Sequence, residues 1–113
     1  MSEILKNIKK AEVLSLKDTV EYAEGQVVSK TLIQNQGLCI TLFAFAAGEG
    51  ISTHESKGDA MVTALDGTGE ITVDGATSAI KAGESIVMPA NHPHAVYGKE
   101  NFKMMLVVAF PEG

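Results

Sequence analysis

The side chains with chemistry to offer in this chain are three histidines. His54 lies in Gly48–Gly69, GEGISTHESKGDAMVTALDGTG, and His92 and His94 lie in Gly83–Tyr97, GESIVMPANHPHAVY. An imidazole can move protons near neutral pH or ligate a divalent ion through a ring nitrogen. In both stretches a glycine precedes a short β-like segment that carries the histidine. A fold that brings the two segments together would place His54 and His94 side by side in an apolar interior, at a cost unless the pair has a use or a partner. As a hydrogen-bonded pair, joined to each other, to Ser56 or to water, they would resist double protonation, and at least one pKa would fall. As metal ligands they would be two, with His92 a weaker third, because Pro93 between His92 and His94 interrupts regular strand geometry.

The remaining reactive types carry less. Cys39 is the sole cysteine, which excludes an internal disulfide and a cysteine-rich metal site. It reads as a small apolar packing group. Ser52, Ser56 and Ser85 sit in no nucleophile elbow. Gly67-Thr68-Gly69 is a turn that no helix follows, so it is not a phosphate loop. Met61, Met88, Met104 and Met105 read as core filling.

Those histidines must be positioned by strands. Leu38–Ala46, LCITLFAFA, is nearly all apolar, as a strand covered on both faces would be. Met61–Leu65 runs into Asp66-Gly67 and Glu70–Val73 into Asp74-Gly75, two pairs suited to tight hairpin turns. Ala76–Ile80, Ser85–Met88, His94–Tyr97 and Phe102–Phe110 complete a series of short strands. Alternation puts His54, Ser56, Ala60 and Val62 on one face if the chain bends at Gly58, with Glu55 and Asp59 on the other. Upstream, Ile4, Leu5 and Ile8 predict a short helix over 2–11 with Ser2 as its N-cap, followed by extended chain at Val13–Leu16 and Glu21–Leu32. Turn signals every 8–12 residues favour an antiparallel sandwich or barrel, and closure into a barrel protects the short apolar strands from edge pairing.

With 113 residues the chain is expected to form one domain, an N-terminal helix and extended segment over 1–30 and a barrel over 31–113. Hydrophobic residues make up 45% and charged residues 20%, the balance of a globular protein. A net charge of −5 with no basic stripe argues against a nucleic-acid surface. No apolar run approaches the roughly 20 residues of a membrane span, and no signal peptide is expected, so a reducing cytoplasm is the expected compartment.

The glycine and histidine spacings resemble the cupin family. Its first motif strings together a glycine, two histidines, a glutamate and a second glycine; Gly48, His54 and Gly67 fall on it at the right separations. Its second strings a glycine, a proline, a corner glycine, a histidine and an asparagine; Gly83, Pro89 and His94 match. The resemblance implies an all-β fold, a double-stranded β-helix or jelly-roll barrel. Metal-binding cupins resemble one another in holding an ion with three histidines and a glutamate. Here Ser56 stands at the second histidine position, Ala60 at the glutamate and Gly98 at the final asparagine. Asn91 replaces the corner glycine, and asparagine tolerates a left-handed backbone.

The first functional reading is a small-molecule-binding cupin with a pocket of His54, Ser56, Val62, Met88, His94 and Val96. The second is a metal-dependent enzyme, dioxygenase- or isomerase-like, whose iron, manganese, nickel or zinc ion would rest on His54 and His94 with His92 or solvent. The third is a structural dimerisation module. No cofactor is fixed by the residues themselves, and no arginine is present to clamp a carboxylate. The resemblance implies a homodimer, with Val20–Leu32 as a sheet edge that a partner could pair with.

Overall fold

The computed structural model describes residues 3–111. Nine strands make two antiparallel sheets. The five-stranded sheet runs in the order β1 (Val27–Gln34), β2 (Leu38–Phe45), β9 (Phe102–Ala109), β4 (Asp59–Asp66), β7 (Ser85–Met88). The four-stranded sheet runs β3 (Gly50–His54), β8 (His94–Tyr97), β5 (Thr68–Val73), β6 (Ala76–Lys81). This is the all-β jelly-roll architecture that the resemblance implies, within the antiparallel sandwich or barrel that the strand pattern favours.

Strand β2 shows why its sequence is apolar at all but one position, Thr41. Phe45 faces the core between the sheets, where its ring stacks 5.9 Å from that of Phe102. Leu42 and Ala44 point the other way, into a second cluster roofed by Leu5, Ile8, Leu16, Val20 and Tyr22. Period-2 alternation therefore delivers apolar side chains to two separate cores.

The roof differs from the expected helix. Residues 3–11 form bends, with Asn7 and Ala11 both at φ 61°, and Ser2 lies outside the described residues. A helix this short has little stability of its own, and the segment instead bonds to strand β1. The Lys6 N–H donates to the Leu32 carbonyl at 2.7 Å, and the Asn7 amide to that of Thr31 at 2.8 Å. The apolar spacing that suggests helix anchors Leu5 and Ile8 in the second cluster. A 3-10 turn at Leu16–Asp18 is the one helical element among the described residues, and the first strand opens only at Val27.

The two Asp-Gly turns also part ways. Asp74 and Gly75, at φ 50° and 81°, make the expected tight hairpin between β5 and β6. At Asp66-Gly67 only Gly67 has positive φ, and the chain crosses from one sheet to the other. A side chain on Gly67 would collide with the Asn101 carbonyl. The turn is a corner of the sandwich.

Candidate functional site

Strands β3 and β8 pair so that His54 lies directly opposite His94. On β8, alternation turns His94 and Val96 inward, both buried. On β3 the register shifts between Ile51 and His54. That irregularity lets two residues three apart, Ile51 and His54, reach the same cavity. Beyond His54 the chain leaves the sheet, and Asn91, at φ 64°, turns the opposite segment and donates its N–H to the Ser56 carbonyl at 2.7 Å. The corner expected of Asn91 is present.

The rings meet edge to face, with centroids 4.4 Å apart and planes at 76°. Their Nε2 atoms are 3.1 Å apart. Behind each ring stands a backbone carbonyl: Nδ1 of His54 lies 2.9 Å from the Ser52 oxygen, and Nδ1 of His94 lies 3.1 Å from that of His92. His94 is 2% exposed, whereas His54 stands at the mouth. Burial, and then the neighbouring His54, hold the His94 pKa below the ordinary imidazole value.

The pair heads a cavity of about 280 Å³. Its other polar lining is Glu55 and Ser56. Ile51, Ala60, Met88 and Val96 form one set of apolar walls, and Met104, Leu106 and Val108 of β9 form the other. Five of the residues read from the sequence as a pocket, His54, Ser56, Met88, His94 and Val96, lie around this space. Val62 does not: it faces the same interior deeper along β4 and is 0% exposed within the core. Glu55, assigned by alternation to the opposite face, reaches the cavity because the strand ends at His54. Asp59 instead accepts the Ala90 N–H at 2.8 Å. His92 stands apart: its Nδ1 is 2.7 Å from Asp74 Oδ2, and its side chain is half exposed.

Sequence reasoning missed Ile51, Glu55 and the three β9 walls. Ile51 was hidden by the irregular register. The β9 run FKMMLVVAF is apolar at nearly every position, so no alternation marks its inner face.

Residues 41–110 match the family description "Cupin domain", more than half of the chain. The chain belongs to the cupin family. Among solved structures, the conserved protein SPY1581 of unknown function from Streptococcus pyogenes is 46% identical to this cupin, with a TM-score of 0.96 over 99% of this chain and 98% of that one. A cupin superfamily protein from Desulfitobacterium hafniense is 35% identical, with a TM-score of 0.89 over 94% and 97% of the two chains. A cupin 2 conserved barrel domain protein from Leptotrichia buccalis is 47% identical over 85% of this chain and 47% of its own, with a TM-score of 0.83. No curated protein matches the chain. Among the described residues, no helix is long and apolar enough to cross a membrane.

The family association with metal ions can be tested on the donors this cupin offers. No group of three histidine, cysteine or carboxylate side chains that could hold an ion occurs among the described residues. Ser56 Oγ accepts the Gly58 N–H at 3.1 Å, Ala60 offers a methyl group, and His92 is turned to Asp74. Two imidazoles fall short of the three protein ligands of a catalytic zinc site. The residues present do not fit the family's four-ligand set.

Proposed function

We propose that this cupin binds a small molecule in the cavity headed by His54 and His94, without a resident metal of the family type. The observation that carries the reading is the cavity's construction. Seven apolar side chains enclose about 280 Å³, and the polar head is two imidazoles each held from behind by a backbone carbonyl. Apolar walls with few, fixed polar groups are the usual makeup of a small-molecule site. The size lies just below the range of roughly 300–1,000 Å³ that takes drug-sized ligands, so the occupant is small.

Filling the cavity tests this. Ala60 lines it and is 2% exposed, so Ala60→Leu projects a larger side chain into the space. Fragments that raise the melting temperature of the wild type should lose that effect in the variant, whose own fold is checked by circular dichroism. Fragments that stabilise both proteins alike would place binding elsewhere. Elemental analysis of the same preparations should find metal well below stoichiometric. A stoichiometric ion lost in both His54→Ala and His94→Ala would overturn the metal-free reading.

The cupin also pairs, in this reading, with a second copy of itself through the outer face of the five-stranded sheet. Val87, Met61, Val107 and Ile40 lie opposite one another across β7, β4, β9 and β2, and so share a face. Met61 and Val87 are 40% and 54% exposed. The Val20–Leu32 edge is less open to a partner, because Lys6 and Asn7 already bond to carbonyls of β1.

A further inference from the structure

Three close contacts involve the histidine pair, and each requires a hydrogen. Nδ1 of His54 faces the Ser52 carbonyl, Nδ1 of His94 faces the His92 carbonyl, and the two Nε2 atoms face each other. A carbonyl oxygen only accepts, so each outer contact needs an N–H at Nδ1, and the central contact needs one N–H between two nitrogens. Two neutral imidazoles carry two hydrogens between them. The arrangement is one hydrogen short. If both carbonyl bonds are made, two Nε2 lone pairs confront each other at 3.1 Å. If one hydrogen moves to Nε2, an Nδ1 lone pair is turned onto a carbonyl instead. Among the described residues, neither Nε2 is hydrogen-bonded to any protein group but the other ring, the Ser56 hydroxyl included; Ser56 Oγ accepts the Gly58 N–H.

We infer that the cavity takes a neutral, ring-sized molecule with one weakly acidic hydroxyl, of the phenol or enol class, whose O–H supplies the missing hydrogen to the Nε2 pair. This rests on the reading of the cavity as a binding site. The size suits a ring, since an apolar protein cavity of about 150 Å³ holds benzene and this one measures about 280 Å³ with its polar head. A phenolic hydroxyl titrates near pH ~10 and so keeps its hydrogen at neutral pH. A carboxylate brings no hydrogen, meets Glu55 at the mouth, and finds no lysine or arginine in the lining. An ammonium brings hydrogens, but its charge would be desolvated against the apolar walls.

Met88 and Met104 line the cavity and provide reporters: their ε-methyl groups, carbon-13 labelled, are followed by NMR while single-ring probes are added at pH 7.5. Phenol should shift both signals saturably and bind about tenfold more tightly than toluene, the size of effect that one satisfied hydrogen bond gives. Benzoate and benzylammonium should bind more weakly than phenol. In the double variant His54→Phe/His94→Phe, which keeps a ring at both positions and removes both Nε2 acceptors, the preference for phenol over toluene should fall to within about twofold, with the fold checked by circular dichroism. Benzoate, benzylammonium or toluene binding as tightly as phenol would overturn the inference and leave the cavity as a binding site. A phenol preference that persists in the double variant would overturn it too. If none of the probes moves either methionine signal, the cavity reading fails along with it.

Discussion

His94 concentrates the chemistry of this cupin in one side chain. It is almost fully enclosed, with the His92 carbonyl 3.1 Å behind its Nδ1 and His54 Nε2 3.1 Å in front of its Nε2, and its pKa is depressed mainly by burial. The native state therefore holds the His94 proton less tightly than the unfolded chain does. Stability from this group is at full strength above the unfolded value near 6.5. It is lost progressively as pH falls from there toward the depressed native value, because the unfolded chain protonates first. Urea midpoints measured between pH 8 and pH 5 should fall across that window, and His94→Gln should flatten the decline. A midpoint that is level from pH 7 to pH 5 in the wild type would contradict the depressed value. The His54–His94 pairing was legible through the cupin resemblance, which sets the two histidines at matching motif positions; Gly83 itself leads into β7, and the corner at Asn91 leads the chain on to β8. The irregular register between Ile51 and His54 was not legible, since a strand irregularity leaves no periodic trace in a five-residue strand.

At the scale of elements, the N-terminal segment acts as a strap over the outer face of the larger sheet. Its apolar contacts are joined by a polar clasp that no sequence pattern announced. Lys103, 8% exposed on β9, donates to the Lys17 carbonyl at 2.5 Å and sits 4.8 Å from the centre of the Tyr22 ring. The Tyr22 hydroxyl donates to Asp66 at 2.6 Å. Burial and then that carboxylate push the tyrosine pKa upward. A lysine inside FKMMLVVAF reads as a solvent-facing interruption, yet the strap covers it. The helical spacing of Leu5 and Ile8 misled for the same reason: tertiary anchoring overrode a weak local preference. Lys103→Met keeps most of the side-chain length and removes the charged donor, leaving the Lys17 carbonyl without it. It should lower unfolding stability by about 1.5–3 kcal/mol, the range for a hydrogen bond to a charged group, while native-state hydrogen exchange quickens in residues 5–22. An increase in exchange spread evenly over the barrel would show that the clasp does not hold the strap specifically.

On the scale of the whole molecule, the two faces of the larger sheet have unequal cover. The inner face closes on the smaller sheet around Phe45, Phe102 and Met104. Among the described residues, the outer face is roofed where the strap lies, over Leu42, Ala44 and Leu32. The row Val87–Met61–Val107–Ile40 runs out from under that roof toward the β7 edge. A two-fold axis through the middle of the row would set Met61 and Val107 of one copy against the same residues of the other, which is the self-complementarity a symmetric dimer needs. Apolar area buried there contributes roughly 25 cal/mol per Å², so the row gains most when it is covered along its whole length. Light scattering at micromolar concentration should accordingly report twice the chain mass of 11.9 kDa. Met61→Glu puts a charge at the centre of the row while leaving the inner core untouched, and it should halve the measured mass without changing the circular dichroism spectrum. A monomeric mass for the wild type would remove the dimer. A dimeric mass that survives Met61→Glu would move the interface to another face, leaving the cavity and its histidine pair as they stand.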